Sequence, residues 1–253
     1  MRLLSAVLAL SVSASLVGGA SVPRTPTPVL VELFTSEGCS SCPPADALLA
    51  TLVAPDRVPG VEVIVLSEHV DYWNRLGWAD PFSSPQFSDR QKGYAQAFRQ
   101  PRIYTPQMVV DGRAEFVGSD ARRAREEIAK AAREPKAQVV LRRDGEAAPA
   151  VRVRVAALPS GAVGEAAEVL LAIVEDGVRS DVRRGENAGR QLLHAAVVRR
   201  LDVIGVVRAA PEGFERRVDV ALDGSWNASR LRAVVFVQER QSRRILGAAQ
   251  VAL

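Results

Sequence analysis

Two cysteines, Cys39 and Cys42, are the residues whose type and spacing could do chemistry, and the chain has no others. They follow the apolar run at residues 29–33 and directly precede Pro43 and Pro44. This order predicts a strand, a turn and a cysteine pair at the start of a helix. The unpaired N–H groups and partial positive charge of a helix N-terminus favour a thiolate over a thiol. Because the thiolate is the nucleophile in disulfide exchange, we predict a redox-active pair.

In this interpretation Cys39 is the attacking nucleophile and Cys42 is the resolving thiol. Two other interpretations stay open. Two soft thiolates could bind copper(I) or another soft metal, although Met108 is the only methionine beyond the initiator. The pair could also be a structural disulfide in a non-catalytic interaction module, but closing so short a loop removes little entropy from the unfolded chain. A zinc finger is not favoured, because there is no second cysteine pair.

The elements that must position the pair can be predicted from hydrophobic periodicity and from turn residues. Strands and helices alternate in the first half of the chain. An aromatic-rich irregular segment at 68–83 interrupts them, and an Asp-Gly dipeptide predicts a hairpin turn. The predicted elements are a strand at 29–35, a helix at 43–52, a strand at 61–67 and a helix at 84–98. A turn, a short strand and a hairpin turn follow over 103–112, then a return strand at 114–117 and a helix at 120–133.

The pattern changes after Pro135. Residues 151–155 alternate between valine and arginine with the period of two that a half-buried strand shows. About seven candidate strands with few helices follow, separated by Gly, Pro, Asp and Asn. This pattern predicts an all-β, sandwich-like domain over residues 136–253, without catalytic groups, since His194 is isolated there. The loop at 184–189 is expected to form a turn or to pack against the first half.

The first-half order, with Cys39-x-x-Cys42 after the first strand and Thr105-Pro106 before the hairpin, resembles the thioredoxin-like superfamily. The resemblance implies an α/β thioredoxin-like domain over residues 29–135, with an insertion at 68–83. It also implies that Pro106 follows a cis peptide bond and faces the cysteine pair, which places Pro106 with the catalytic residues. The backbone of Thr105 would then pair with an extended substrate as an added strand.

Several motifs are similar to a narrower group, a family of bacterial secreted thioredoxin-like proteins recorded only as a domain of unknown function. The motifs are residues 32–46, 69–74, 77–80 and 184–189. The chain departs from ordinary thioredoxins at Gly38, which directly precedes the pair, and at Ser40-Ser41 within it. Glu37 also lies close to Cys39, where its charge disfavours a thiolate. These departures leave the reduction potential and the direction of exchange open.

His69 follows the second predicted strand, and ligands bind at strand ends in α/β folds. We expect it to share a cleft with Cys39 and to accept its proton, with Asp71 orienting the imidazole. Trp73 and Trp78 would cover an apolar substrate surface. The competing interpretation is that His69 only ties the insertion to the core and that the two tryptophans are buried in the insertion.

The N-terminus predicts an exported protein. Arg2 precedes an apolar run at 3–17, and small residues at 18–20 offer a cleavage site, as in a secretory signal peptide over 1–20. An extended, proline-rich leader at 21–28 would follow. The apolar run is short for a membrane-spanning helix, and we expect no span after cleavage. A secreted or periplasmic location would place the cysteines in an oxidising compartment.

The net charge of +4 is unevenly placed along the chain. From residue 136 onward there are 19 Arg and Lys against 14 Asp and Glu, which is a surplus of 5. The arginines are scattered or paired, as in Arg183-Arg184, which predicts a solvated surface and no nucleic-acid partner. We therefore expect protein or small-molecule disulfides and thiols as partners, with the Cys39–Cys42 disulfide as the only redox group and no separate cofactor.

Overall fold

Strands outnumber helices in the structure, a computed structural model that describes residues 25–54, 57–145, 149–156, 158–159, 166–207 and 213–253. The predicted signal peptide and the first part of the predicted leader lie outside these residues. In chain order the elements are β1 (Thr27–Thr35), α1 (Pro43–Leu52), β2 (Val61–His69), α2 (Pro85–Ala97), β3 (Gln107–Val110), β4 (Ala114–Val117), α3 (Ala121–Ala131), β5 (Val139–Arg143), β6 (Ala150–Val155), β7 (Ala167–Glu175), β8 (Val178–Asp181), β9 (Gln191–His194), β10 (Val197–Val207), β11 (Phe214–Asp219), β12 (Leu231–Glu239) and β13 (Ile245–Ala252). No helix among them is long and apolar enough to cross a membrane.

One mixed sheet of eight strands organises the fold, in the order β13-β12-β7-β10-β2-β1-β3-β4. Strands β1 and β2 are parallel, with Thr35 opposite His69 at their ends, whereas β3 is antiparallel to β1. Strands from both halves of the chain meet where β10 pairs with β2 at Val197 and Ser67. The Ser67 N–H also donates to the carbonyl of Ala196 at 2.8 Å.

The prediction of a thioredoxin-like α/β domain followed by a separate all-β sandwich is wrong. Residues beyond 136 do form strands, but β10, β7, β12 and β13 extend the sheet that β2 and β1 begin. The remaining long strands form a three-stranded sheet, β11-β6-β5. The alternation of residue types predicts strands correctly, yet it does not specify which strand pairs with which, and pairing decides the architecture.

The second half of the sheet is buried on both faces, which explains its long apolar strands. In β7, Leu170 and Ala172 belong to the core shared with β1, β2 and the helices. The intervening Leu171 and Ile173 belong to a second core, closed by β5 and β6. Adjacent residues of one strand therefore fill two different cores. The first core combines residues from both halves of the chain, whereas the described residues of the second core all lie beyond residue 136.

The helices begin where the local sequence predicts. Proline occupies the first positions of α1 and α2, where a missing N–H costs little. The Ser84 side chain accepts from the N–H of Gln86 and caps α2, and Asp120 caps α3 by accepting from Arg123. Gly112 in the β3–β4 turn has φ +61°, and a side chain there would meet the carbonyl oxygen of Arg243, so the β12–β13 turn lies directly against this hairpin.

A buried cation ties α2 to strands from both halves. The Arg90 guanidinium donates from Nε to Glu32 Oε1 at 2.6 Å and from Nη1 to Gln238 Oε1 at 2.8 Å. Glu68 lies 3.3 Å away on β2, and burial raises the pKa of its carboxyl well above the ordinary range, despite the attraction of Arg90. Tyr94 completes the group by donating to Glu32.

Substituting Arg90→Met should destabilise the protein strongly, because it leaves the Glu32 carboxylate buried without its cation. Removing one partner of a buried ion pair costs about 3–5 kcal/mol. Urea unfolding is the measurement, and Lys92→Met is the matched control, since Lys92 lies on the same helix in an exposed pair with Asp89. Equal, small effects of the two substitutions would contradict the assigned role of Arg90.

Candidate active site

The two cysteines form a disulfide between the end of β1 and the start of α1, with their Cα atoms 5.4 Å apart. Both are fully buried, whereas Ser40 and Ser41 between them are exposed. The carbonyl of Cys42 accepts from the N–H groups of Ala45 and Asp46, so it takes part in the first helical turn. The disulfide therefore lies just beneath the surface, and residues 36–42 are called the cysteine loop below.

Glu37 holds the cysteine loop from inside and is fully buried. One carboxylate oxygen, Oε2, accepts from Trp78 Nε1 at 2.7 Å, and the other, Oε1, lies 3.1 Å from His194 Nε2. The backbone N–H of Glu37 donates to Asp80 Oδ2 at 2.8 Å. Trp78 and His194 therefore fix the orientation of the Glu37 carboxyl group inside the site.

His69 is fully buried at the end of β2, and Asp80 orients it rather than Asp71. The His69 Nδ1 atom lies 2.7 Å from Asp80 Oδ2. Burial by itself would lower the pKa of His69, but the carboxyl groups of Asp80, Asp46 and Glu37 together outweigh it and raise that pKa. Asp71 instead accepts from the Ser88 hydroxyl at 2.5 Å. Within the described residues, His69 Nε2 makes no hydrogen bond, to Cys39 or to any other group.

His194 joins this group, contrary to the prediction that it is an isolated structural residue. Its ring lies nearly perpendicular to the His69 ring, with 4.8 Å between centroids. Its Nδ1 atom is 3.9 Å from Asp46 Oδ2. Asp46 follows Cys42 by one helical turn, and the two side chains share a face of α1. Burial raises the pKa of Asp46, even though His194 and His69 lower it.

The loop between β8 and β9 packs against the cysteine loop from outside. We call residues 182–190 the hairpin loop. The buried Asn187 amide donates to the carbonyls of Glu37 at 2.8 Å and Cys39 at 2.9 Å. The Glu186 carboxylate accepts from the Ser40 N–H at 2.9 Å. Of the two outcomes predicted for this loop, packing against the first half is therefore confirmed.

Trp73 lies against the cysteine loop and links it to Thr105, the residue before Pro106. The Thr105–Pro106 peptide bond is cis, as predicted. Trp73 Nε1 donates to the Thr105 hydroxyl at 2.8 Å, and its Cβ lies 3.1 Å from where a side chain at Gly38 would begin. Together with Trp78, which binds Glu37, the predicted tryptophans thus contact the surroundings of the disulfide, and both side chains are partly buried.

The sequence analysis missed Glu186, Asn187 and Asp80 as parts of the site. Asn187 and Glu186 lie in the quoted motif at 184–189, and Asp80 lies in the motif at 77–80. The two motifs were the available signal in the sequence, but their residue types do not reveal that each motif contacts the cysteine loop. Among the described residues, no three His, Cys, Asp or Glu side chains are arranged to hold a metal ion.

The fold and site define a class of protein with a mixed sheet and a buried Cys-x-x-Cys disulfide held by a histidine–carboxylate cluster. A family model described as protein of unknown function (DUF1223) matches residues 30–238, and the chain belongs to this family. None of the curated proteins matches it at a significant level.

Two solved structures are similar over most of the chain. A protein of Agrobacterium tumefaciens has 26% identity and a TM-score of 0.72, and the match covers 89% of this chain and 94% of that one. HBP35 of Porphyromonas gingivalis has 18% identity and a TM-score of 0.67, covering 90% of this chain and 76% of that one. At 18% identity the second likeness concerns the fold alone.

Substituting Asp46→Asn should stabilise the protein at neutral pH. Because the folded-state pKa of Asp46 is raised, its stability contribution is fully present below the unfolded value near 3.8 and is lost as pH rises through the folded pKa. Each unit of the shift corresponds to about 1.4 kcal/mol. Asparagine stays neutral, so urea unfolding should show a gain at pH 7 that shrinks as the pH is lowered.

The control for this prediction is Asp89→Asn, which changes an exposed carboxylate on α2. It should produce no comparable gain. A loss of stability in Asp46→Asn that is equal at pH 7 and pH 5 would contradict the prediction, because it would mean that the histidines hold Asp46 in its charged form.

Proposed function

We propose that this protein is an exported thiol–disulfide exchange protein in which Cys39–Cys42 is the reacting group. The observation that carries the proposal is the position of the pair, joined as a disulfide in a loop that leads into the first turn of α1. A sulfur that leaves as a thiolate at this position is stabilised by the helix N-terminus. The predicted signal peptide supports export to a compartment where such disulfides persist.

The exchange takes place in two balanced steps. A substrate thiolate attacks Cys39 Sγ, which forms a mixed disulfide and releases Cys42 as a thiolate. The substrate's second thiolate then attacks its own sulfur in that mixed disulfide and releases Cys39. Two electrons pass from the substrate dithiol to the cysteine pair, and the two thiol protons pass to Cys39 and Cys42 through solvent. The reverse sequence, starting from the Cys39 thiolate, oxidises the protein.

Because both sulfurs are buried, exchange requires the cysteine loop to become accessible. The contacts that hold the hairpin loop against it are hydrogen bonds from Asn187 and to Glu186. Each such bond contributes only about 0.5–1.5 kcal/mol net, because water replaces it on opening. The hairpin loop can therefore separate from the cysteine loop at modest cost.

A redox titration tests the function directly. In glutathione buffers the Cys39–Cys42 disulfide should open and close reversibly, and iodoacetamide should label Cys39 of the reduced protein before Cys42, as peptide mass spectrometry would show. Metal content is measured on the same sample, because the reduced thiols are the state in which a soft metal would bind. A disulfide that stays closed far below about −300 mV is structural, and that result sinks the proposal.

Substituting Asn187→Ala should accelerate reduction of the disulfide by dithiothreitol. The change removes two hydrogen bonds to the cysteine loop, which together contribute about 1–3 kcal/mol. The accessible state should therefore become about 5-fold to 150-fold more populated. The matched control is Gln191→Ala, which removes an exposed contact with Asp181 on the same hairpin. An unchanged rate in Asn187→Ala, measured by thiol release, would show that the hairpin loop does not limit access.

A further inference from the structure

Four exposed arginines lie in the two segments of the chain that contact the cysteine loop. Arg75 lies in the insertion, and Arg183, Arg184 and Arg190 lie in the hairpin loop. Within the described ranges, no carboxylate forms an ion pair with Arg75, Arg183 or Arg184. The sequence analysis predicts a solvated surface for the arginines beyond residue 136, because they are scattered or paired along the chain, and it makes no prediction for Arg75.

Contacts beneath the arginines bring the two segments together. A side chain at Gly185 would begin 3.2 Å from Trp78 Cβ and 3.9 Å from the carbonyl oxygen of Leu76. Trp78 in turn donates to Glu37 in the cysteine loop. On the other side, Arg190 donates to Asn187 Oδ1 at 3.1 Å, and Asn187 binds the Cys39 carbonyl. The arginines therefore share the rim of the site.

One carboxylate already occupies this rim. Glu186 accepts from the N–H of Ser40, the residue directly after Cys39, at 2.9 Å. Hydrogen bonds from Ser40 lower the pKa of this exposed carboxyl, so it is charged at neutral pH. The cysteine loop thus offers a donor to an acid, and three unpaired arginines lie nearby. Glu186 is the group that an acidic substrate would replace.

We infer that the partner of the disulfide is an acidic polypeptide that carries its cysteines beside Asp or Glu. This inference rests on the proposed exchange function and names its substrate class. A carboxylate of the partner displaces Glu186 from Ser40, and its neighbouring acids bind Arg75, Arg183 and Arg184. The hairpin loop then keeps the Asn187 hydrogen bonds to the cysteine loop, and water replaces these when the hairpin loop opens access to the disulfide. A cysteine thiolate of the partner then attacks Cys39 Sγ and releases the Cys42 thiolate, and a second partner cysteine completes the transfer of two electrons.

The test compares three synthetic dithiol peptides that share one two-cysteine core and differ in flanking residues, which are Glu, Gln or Lys. The rate of reduction of the Cys39–Cys42 disulfide is measured by quenched mass spectrometry. At low salt the Glu peptide should react about tenfold faster than the Gln peptide, as expected of electrostatic attraction. The Lys peptide should react most slowly, and the differences should shrink at high salt.

Two double variants locate the effect. Arg183→Gln with Arg184→Gln should bring the Glu-to-Gln rate ratio close to one. Arg142→Gln with Arg143→Gln changes an adjacent exposed pair on β5 and should keep the ratio of the unsubstituted protein. Because each ratio is taken within one variant, a general change in stability or reactivity cancels.

The outcomes separate this inference from the function on which it rests. Equal rates for the three peptides with the unsubstituted protein would overturn the acidic-partner inference and leave the exchange function standing. Equal loss of the ratio in both double variants would also overturn it, since the arginines at the rim would then have no special role. No reaction with any peptide, or with dithiothreitol, would overturn the exchange function as well.

Discussion

The buried Glu37 carboxylate is the constraint on which the geometry of the cysteine loop depends. A buried polar group must be satisfied by close hydrogen-bond partners, because leaving it unsatisfied costs about 1–3 kcal/mol. Its partners, Trp78 and His194, come from the insertion and from β9. The loop that carries the disulfide therefore has its position only when both of these segments are in place.

The eight-stranded sheet brings these segments together at the cysteine loop. His194 and Asn187 reach the disulfide because β8 and β9 precede β10, which pairs with β2 beside β1. Strand β1 leads directly into the cysteine loop. The second half of the chain thus forms one side of the site, so the first half alone does not contain the whole site. Arg90, in the middle of α2, also links the two halves of the chain through its hydrogen bond to Gln238 on β12.

The sequence predicted the local elements well because their signals are local. The helix at 43–52 matches α1, and apolar runs bounded by turn residues mark β1 and β2. Pairing between β2 and β10 could not be predicted, since about 130 residues separate Ser67 from Val197 and neither strand carries a mark of its partner. For the same reason His194 looked isolated, although its ring contacts His69 in the folded chain.

The hairpin loop covers the disulfide with polar groups, and this determines which partners can displace it. If the loop over the disulfide were apolar, opening it would cost about 25 cal/mol of free energy for each Å² of apolar surface exposed to water. Such a loop would favour apolar partners. Here the contacts of Asn187 and Glu186 are polar. Water can replace both, and a partner's carboxylate can replace Glu186 as the acceptor from the Ser40 N–H. Such a polar loop protects the disulfide from non-specific reaction with small thiols. A partner that supplies an acceptor for the Ser40 N–H can nevertheless displace it. Access to the disulfide is then governed by recognition at the rim as well as by the reactivity of the sulfurs.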